Sequence, residues 1–370
     1  MKRIILYPHI YTHLGKNALF LYNTVSHAAL LVNNKDCKLV DIDHHCINIS
    51  VLNPSILNKL LSEKWGYIID TKISPIGFHR LNFTSSKTKF ENIDPSSVGG
   101  NAIHFIERIS LFVDSIDSGT LNPTIAQILD FPTSTAEDID IYLKFLENYN
   151  FNNLKEIEIV SDTTSRAFVF LNTLISRGFF VSFRTTICNS KQIDKLLRYT
   201  SEFTNIYFKV FASINLKKDL IPLHRDNVQL KFWSTSISEI YRNPDIAINP
   251  IIYNADTQKE LISESLLNIE DIMSLKRTLF DLKYNSIFNV SFFGKIVLQG
   301  RCVYVGNQYI GSIENFSQDL NSWVKSQDNL WYYTRRKKGR CKYCSFCDLC
   351  PSISIYELLG IIDTPCSVKD

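Results

Sequence analysis

Apolar residues change their spacing several times along the chain. In residues 1–71, the apolar runs at 18–22 and 28–32 are separated by a polar stretch at 23–27, which predicts a hairpin. Apolar residues then recur at helical spacing across 53–65, with Pro54 suited to a first helical turn. A hairpin followed by a helix predicts a small N-terminal α+β module of winged-helix type.

Strand-like and helix-like segments alternate between residues 106 and 284. The strand candidates are short and apolar, and they lie at 108–114, 154–160, 179–184, 205–211, 228–233 and 246–253. Helical candidates separate several of them, at 136–148, 165–176 and 191–200. This order predicts an α/β fold with a parallel sheet of βαβ units. Six strands suit an open, partial (β/α)6 barrel, although a doubly wound sheet has the same periodicity.

The remaining segments differ in texture from this α/β region. Residues 72–105 contain a polar stretch rich in Ser, Thr and Lys, which predicts a connector between domains. In residues 285–370, apolar runs at 288–293 and 295–305 predict a hairpin that turns at Gly294. A second turn at 306–308 and a short helix at 316–325 come before a cysteine-rich tail.

Composition excludes wholesale disorder. Apolar residues make up 45% of the 370 positions, and the formal net charge is only +3, so a full-sized core is expected. No apolar run approaches the roughly 18 residues that span a bilayer. The N-terminal residues lack the apolar stretch and cleavage site of a signal peptide. We therefore expect a cytoplasmic protein with no membrane partner.

Cysteine placement carries the strongest chemical signal. Cys37, Cys46 and Cys188 are scattered, whereas six cysteines lie in the last quarter of the chain: Cys302, Cys341, Cys344, Cys347, Cys350 and Cys366. Four of them form an evenly spaced C-x-x-C-x-x-C-x-x-C tract. A Cys-x-x-Cys turn presents two thiolates to one metal, and no histidine follows His224, so an all-thiolate site is expected. Such ligands suit zinc or an iron–sulfur cluster.

The tract can be divided among ligands in two ways. In the first, the even spacing is that of a bacterial ferredoxin, in which three cysteines hold one cluster and the fourth serves elsewhere. In the second, Cys341, Cys344 and Cys350 bind the metal, Cys347 is a spare, and the fourth ligand is Cys366 or Cys302. Cys366 would tie down the C-terminal tail, and Cys302 is also explained as a small apolar residue in a strand.

Other polar groups receive structural interpretations. The basic run at 335–340 beside the cysteines indicates a solvated loop, or positive charge that favours an anionic cluster. Trp331, Tyr332 and Tyr333 precede it, but an aromatic nucleic-acid surface is not expected. His9, His13 and the pair His44–His45 are interpreted as structural. The carboxylates at strand ends line a pocket or cap loops, without a catalytic role: Asp114, Asp117 and Asp162.

The tail, from the 288–305 segment through Gly311 to Cys341-x-x-Cys344-x5-Cys350, resembles the SPASM and twitch domains of peptide-modifying radical SAM enzymes. Those domains hold auxiliary 4Fe–4S clusters behind a partial barrel, and residues 106–284 are similar to that (β/α)6 core. The resemblance implies that residues 1–71 are a precursor-peptide recognition module of PqqD-like, winged-helix type. It implies an iron–sulfur cluster at residues 285–370.

The chain departs from that family at two motifs. The loop after the first barrel strand, residues 115–130, contains no cysteine, although the family carries Cys-x-x-x-Cys-x-x-Cys there. The Gly-Gly-Glu-Pro-like turn is replaced by residues 161–164, Ser-Asp-Thr-Thr. This combination resembles the pseudo-radical-SAM proteins of GG-type Bacteroidales peptide systems, so S-adenosylmethionine is not expected as a cofactor.

The expected role is that of a non-catalytic partner, which binds a precursor peptide, an active radical SAM enzyme, or both. Two alternatives stay open. The tail cluster could transfer electrons to that enzyme, or zinc could stabilise a protein with only an interaction role.

Overall fold

The computed structural model describes residues 2–36, 39–41, 46–49, 52–70, 102–115, 122–131, 138–187, 189–326 and 328–367. The strands are β1 (Lys2–Leu6), β2 (Ile10–Leu14), β3 (Ala18–Asn23), β4 (Ala29–Asn33), β5 (Leu39–Asp41), β6 (Cys46–Asn48), β7 (Gly66–Asp70), β8 (Arg108–Phe112), β9 (Glu156–Val160), β10 (Val181–Ile187), β11 (Tyr207–Ser213), β12 (Val228–Ser234), β13 (Ile248–Pro250), β14 (Lys295–Gln299), β15 (Cys302–Val305) and β16 (Gln308–Ser312).

The described residues also contain α-helices. They are α1 (Pro54–Ser62), α2 (Pro123–Ile128), α3 (Asp140–Asn148), α4 (Ser165–Ser176), α5 (Ser190–Glu202), α6 (Ile237–Tyr241), α7 (Lys259–Ser265), α8 (Ile269–Ser274), α9 (Leu279–Ile287), α10 (Phe316–Val324) and α11 (Ile355–Leu358). Short 3₁₀ turns occur at Ala102–Phe105, Arg335–Lys337 and Gly339–Tyr343, among other places. None of the helices in the described ranges is long and apolar enough to cross a membrane.

The N-terminal residues form two small antiparallel sheets. One has the order β5-β6-β1-β7 and the other the order β2-β3-β4, so the predicted hairpin is confirmed as β3 and β4. All six residues of β3 are buried because both of its faces are covered. Leu19 and Leu21 face a core that includes Trp65, whereas Phe20 and Tyr22 face the cysteine-rich tail. This double burial explains why the strand is continuously apolar rather than alternating.

A nine-stranded sheet forms the centre of the protein. Its order is β13-β12-β11-β10-β9-β8-β14-β15-β16, and all pairs from β13 to β14 are parallel. The predicted α/β fold with a mostly parallel sheet is therefore confirmed, and the six predicted strands become β8 to β13 in chain order. Helices α3, α4 and α5 cover one face, where the sheet contributes Ile109, Ile157 and Phe208 to the main apolar core.

The other face of this sheet is charged. Side chains alternate between faces along a strand, so the neighbours of those apolar residues point away from the helices. They include Arg108, Glu158, Arg184, Lys209 and Lys295, which line one cavity together with Lys231 of β12. Residues of seven strands, β8 to β12, β14 and β15, line this cavity. Glu158 is buried, which alone would raise its pKa, but Arg184 and Lys209 outweigh that effect and hold the pKa at about 2.

The predicted hairpin with a turn at Gly294 is wrong. Residues 288–293 form a turn in which the Phe293 N–H donates to the Asn289 carbonyl at 2.8 Å. Phe288 and Phe293 pack against each other with tilted rings whose centroids lie 4.1 Å apart, and both contact Tyr332. These residues are apolar because they form part of this aromatic cluster. Apolar residues occupy buried positions in a compact turn as well as in a strand, so the pattern alone does not distinguish the two. The hairpin that forms instead joins β14 to β15 at Gly300, whose φ of 59° lies in the left-handed region.

Several predictions fall on residues outside the described ranges. Most of the connector, residues 72–101, lies there, as do Asp117, His44, His45, Cys37 and Cys188. The described end of the connector, Ala102–Phe105, is a 3₁₀ turn whose first residue donates its N–H to Asn321 of α10 at 2.9 Å.

Candidate metal centre

The cysteine-rich segment is built from successive tight turns. The Cys344 N–H donates to the Cys341 carbonyl at 3.1 Å, and the Cys350 N–H donates to the Phe346 carbonyl at 3.1 Å. Cys366 is brought back to this segment by a parallel bridge to Leu267. The Leu267 N–H donates to the Pro365 carbonyl at 2.8 Å, so backbone pairing fixes the position of the distal cysteine.

Four thiols lie together in this region, and we call them the four-thiol set: Cys341, Cys344, Cys350 and Cys366. Cys344 is half-buried and the other three are buried. Burial raises the pKa of the Cys350 thiol, and neighbouring Cys366, Cys344 and Cys341 raise it further, against the effect of Arg335. Burial likewise raises the pKa of Cys341, with a contribution from Cys366. The four side chains thus share one electrostatic environment.

The spacing of the four-thiol set is wider than a zinc site requires. Tetrahedral zinc holds each sulfur at about 2.3 Å, so any two of its sulfurs are no more than about 4.6 Å apart. Among the residues that the structure describes, only His13, Cys347 and Asp348 form a group of three ligand atoms that all lie within 4.8 Å of one another. An iron–sulfur cluster binds each thiolate to a different iron, which tolerates the wider spacing.

Hydrogen-bond donors are directed at the sulfurs. The Phe346 N–H donates to Cys344 Sγ at 3.5 Å, and Arg335 Nη1 lies 3.9 Å from Cys341 Sγ. Donors of this kind stabilise thiolates and tune the reduction potential of iron–sulfur clusters. The residues therefore fit a thiolate-bound cluster at this position.

Arg335 is the buried counter-charge of the site. Its side chain is 4% exposed and that of Glu357 is 0% exposed, and the guanidinium donates to both carboxylate oxygens at 2.9 Å. The interpretation of residues 335–340 as a solvated loop is thus wrong at Arg335. A cationic run is typical of a surface loop. Arg335 is nevertheless buried, because Glu357, later in the chain, supplies the carboxylate that compensates its charge. The other interpretation of this run, positive charge beside the thiolates, agrees with the position of Arg335.

Cys347 contacts the N-terminal module through His13. Its Sγ lies 3.3 Å from His13 Nε2, and His13 Nδ1 lies 3.4 Å from Asp348 Oδ2. Arg336 donates to Asp348 through Nε at 2.8 Å and through Nη2 at 2.6 Å, and the Tyr11 hydroxyl donates to the same carboxylate. A cation bound at His13 and Cys347 would face this guanidinium, so the group acts as a junction between β2 and the tail.

The other candidates lie elsewhere. Cys302 is on β15, where it raises the pKa of Tyr304 after the larger effect of burial. Asp114 accepts hydrogen bonds from Ser161 at 3.1 Å and from Thr164. Asp162 accepts from Gln192 at 2.9 Å. The two carboxylates are satisfied locally, as loop-capping groups are. Trp331 and Tyr332 are buried, so they offer no nucleic-acid surface.

An apolar plug covers the carboxyl ends of the first strands of the large sheet. Ile125 and Ile128 of α2 pack with Phe131, Phe112 of β8 and Val160 of β9. Arg184 fastens this segment by donating to the Asp130 carbonyl at 2.7 Å and to its carboxylate at 3.0 Å. In (β/α) barrels the carboxyl ends of the strands normally form the reaction site. Here Phe112, Ile128 and Phe131 of the plug are also part of the lining of the cavity on the charged face of the sheet.

Sequence reasoning missed Asp348 and Glu357, the partners of His13 and Arg335, whereas it named His13 as structural and Arg335 as part of the basic run. The signal for Glu357 is weak but present, because Ser354 and Glu357 have the spacing of a capping box at the start of α11. No pattern links His13 to Cys347, which lies 334 residues further along the chain.

No family model and no curated protein matches the chain. Three crystal structures of SuiB from Streptococcus suis are similar over almost the full length of both chains. The complex with precursor peptide SuiA is 14% identical, has a TM-score of 0.42 and covers 99% of each chain. The complex with S-adenosylmethionine is 12% identical, with a TM-score of 0.32 and coverage of 100% and 99%. A third structure of SuiB is 12% identical, with a TM-score of 0.38 and 99% of each chain covered. At these values the likeness supports no conclusion, and the chain's own residues carry the proposals.

Proposed function

We propose that this protein is a non-catalytic, radical-SAM-like partner in the maturation of a ribosomally synthesised peptide. It binds an iron–sulfur cluster in its tail, and it binds the precursor peptide, an active radical SAM enzyme, or both. The observation that carries the proposal is the pairing of a built thiol site in the tail with an apolar plug over the strand ends. The class of process rests on the resemblance of the tail and on the two missing motifs.

The cofactor would be a 4Fe–4S cluster held by the four-thiol set, with Cys347 outside it. When bound, such a cluster supplies one-electron chemistry and holds the tail together. Arg335 compensates the negative charge of the ligands, and the Leu267 pairing keeps Cys366 in reach. The wider sulfur spacing favours this cluster over zinc.

Residues 1–71 would bind the peptide along the outer edge of β4. The Ala28 carbonyl accepts from the Asn23 N–H at 2.9 Å, and the Asn34 N–H donates to the Asn17 carbonyl at 3.0 Å. Because antiparallel pairing alternates, Leu30 and Val32 direct their N–H groups to β3, whereas Leu31 directs its N–H outward. No strand in the described ranges pairs with this outer edge. An extended peptide could therefore add to the sheet as a further strand.

The first prediction concerns cofactor chemistry. After anaerobic reconstitution and reduction, incubation with S-adenosylmethionine yields no 5′-deoxyadenosine above the background of the buffer. The reason is that residues 122–131 place apolar side chains, and no thiol, at the strand ends. A radical SAM enzyme with all its cysteines serves as the positive control. Sustained turnover by the purified protein would refute the non-catalytic role.

The second prediction concerns the peptide. Leu31→Pro removes an outward N–H, so it weakens the binding of a precursor leader, measured by fluorescence anisotropy, by about tenfold. Proline is tolerated at edge strands, and Leu31 is 41% exposed, so the fold is kept. Leu31→Ala, which keeps the N–H, is the matched control and binds as the unmodified protein does. Equal affinity of both variants would place the peptide elsewhere.

A further inference from the structure

The cavity on the charged face of the large sheet has more cations than carboxylates. Its volume is about 820 Å³, and its lining includes Arg108, Arg184, Lys209, Lys231 and Lys295. Three carboxylates face these five cations: Glu156, Glu158 and Asp130. Two positive charges are therefore in excess inside the protein. Uncompensated charge of one sign in a cavity focuses the field on ions of the opposite sign.

The three carboxylates are already shared among three of the cations. Glu156 lies 2.7 Å from Arg108 and 2.8 Å from Lys209. Glu158 lies 2.7 Å from Lys209 and 3.2 Å from Arg184. Arg184 also forms an ion pair with Asp130 at 3.0 Å. These pairs engage Arg108, Arg184 and Lys209, and among the described residues no carboxylate lies within ion-pair distance of the ammonium groups of Lys231 and Lys295.

Lys231 is the clearer of the two. Within the described ranges it has no hydrogen bond or ion pair, and its ammonium lies 5.3 Å from the centre of the Phe211 ring. Burial lowers its pKa, the nearby charges of Lys209, Arg184 and Arg108 lower it further, and Glu158 acts in the opposite direction. Lys295 donates to the Ser291 carbonyl at 2.7 Å, and its pKa is lowered by burial and then by Arg108, against Glu158, Asp130 and Glu107. An oxyanion beside Lys231 would relieve the repulsion from the neighbouring cations.

We infer that this cavity is a binding site for a small oxyanionic ligand, a phosphate or a dicarboxylate, held by Lys231 in a lining that also contains Lys295. The site is separate from the four-thiol set and from the β4 edge. Its ligand is recognised by a charge-assisted hydrogen bond from the Lys231 ammonium group. Ser110 faces the same cavity, but its hydroxyl donates to Glu158 at 3.3 Å and so supports that carboxylate.

The test is calorimetric titration of the full chain at low ionic strength, with inorganic phosphate in one arm and succinate in the other. Binding in either arm is expected, and the stronger arm identifies the ligand class. Lys231→Met weakens it by at least about tenfold, the loss expected for one charge-assisted hydrogen bond. Lys231→Arg, which keeps the charge, restores most of the affinity.

Lys144→Met is the matched control, because Lys144 is exposed on α3 and its removal changes the net charge equally. This variant binds as the unmodified protein does. Two results would overturn the inference: neither anion binds, or Lys231→Met and Lys144→Met weaken binding equally, as surface attraction alone would. Because Lys231 has no hydrogen bond or ion pair within the described residues, its replacement leaves the fold and the metal content unchanged.

Discussion

Cys341→Ser combined with Cys344→Ser abolishes iron binding and loosens the tail. Both sulfurs belong to the four-thiol set, and serine is a poor ligand for soft metals. Without the cluster, the two remaining thiols, Cys350 and Cys366, and the buried Arg335–Glu357 pair lose the charge that they surround. The measurements are iron and acid-labile sulfide per chain after anaerobic reconstitution, visible absorbance, and limited proteolysis of residues 328–367. Since metal binding and folding are coupled, the loss of metal and the gain in proteolysis occur together.

Single variants separate the ligands from their neighbours. Cys350→Ser and Cys366→Ser lower the iron content, whereas Cys347→Ser and Cys302→Ser retain it, because Cys347 contacts His13 and Cys302 lies on β15. Zinc and no sulfide in the reconstituted protein would favour the interaction protein without a redox role. Full iron content in the double variant, or an equal loss in Cys347→Ser, would contradict the assignment.

The order of strands and helices could be predicted because local spacing determines it. Helix α4 begins and ends at the predicted residues, with Thr164 capping its first turn through a hydrogen bond to the Ala167 N–H at 3.2 Å. The pairing partners of the strands are harder to predict, because parallel strands are joined by long connections. The place of β14 beside β8 rests on pairing between residues 187 positions apart, such as Lys295 and Arg108, and no local pattern records it.

The thiol site could be predicted as a cluster of ligands, but its surroundings could not. Spacing identifies Cys341, Cys344 and Cys350, because turns of the backbone bring near neighbours together. It leaves Cys366 undecided, since the bridge to Leu267 is a contact in space. Spacing also places Arg335 wrongly at the surface, because whether a cation is buried depends on where its carboxylate partner lies. Side chains that pair across the fold carry no periodicity.

Glu357→Gln has the largest expected effect on stability. Glu357 is fully buried and accepts from Arg335 at two oxygens, and Lys338 lies 3.3 Å from the same carboxylate. Arginine cannot lose its charge, so the variant leaves a buried guanidinium with a neutral partner. Removing one member of a buried pair costs about 3–5 kcal/mol. The free energy of unfolding, from urea titration of the reconstituted protein, is expected to fall by that amount.

The double variant Arg335→Met with Glu357→Leu tests the cause. It removes both charges and keeps similar volume, and such replacements of buried pairs are often neutral in stability. We therefore expect it to recover most of the loss of Glu357→Gln. Arg301→Met is the control for an exposed pair, since Arg301 and Glu314 are 71% and 46% exposed, and it changes stability by no more than about 1 kcal/mol. If the double variant is as unstable as the single one, then the lost packing and hydrogen bonds, rather than the unpaired charge, account for the effect. If it is stable but binds less iron, Arg335 contributes to the cluster through its contact with Cys341.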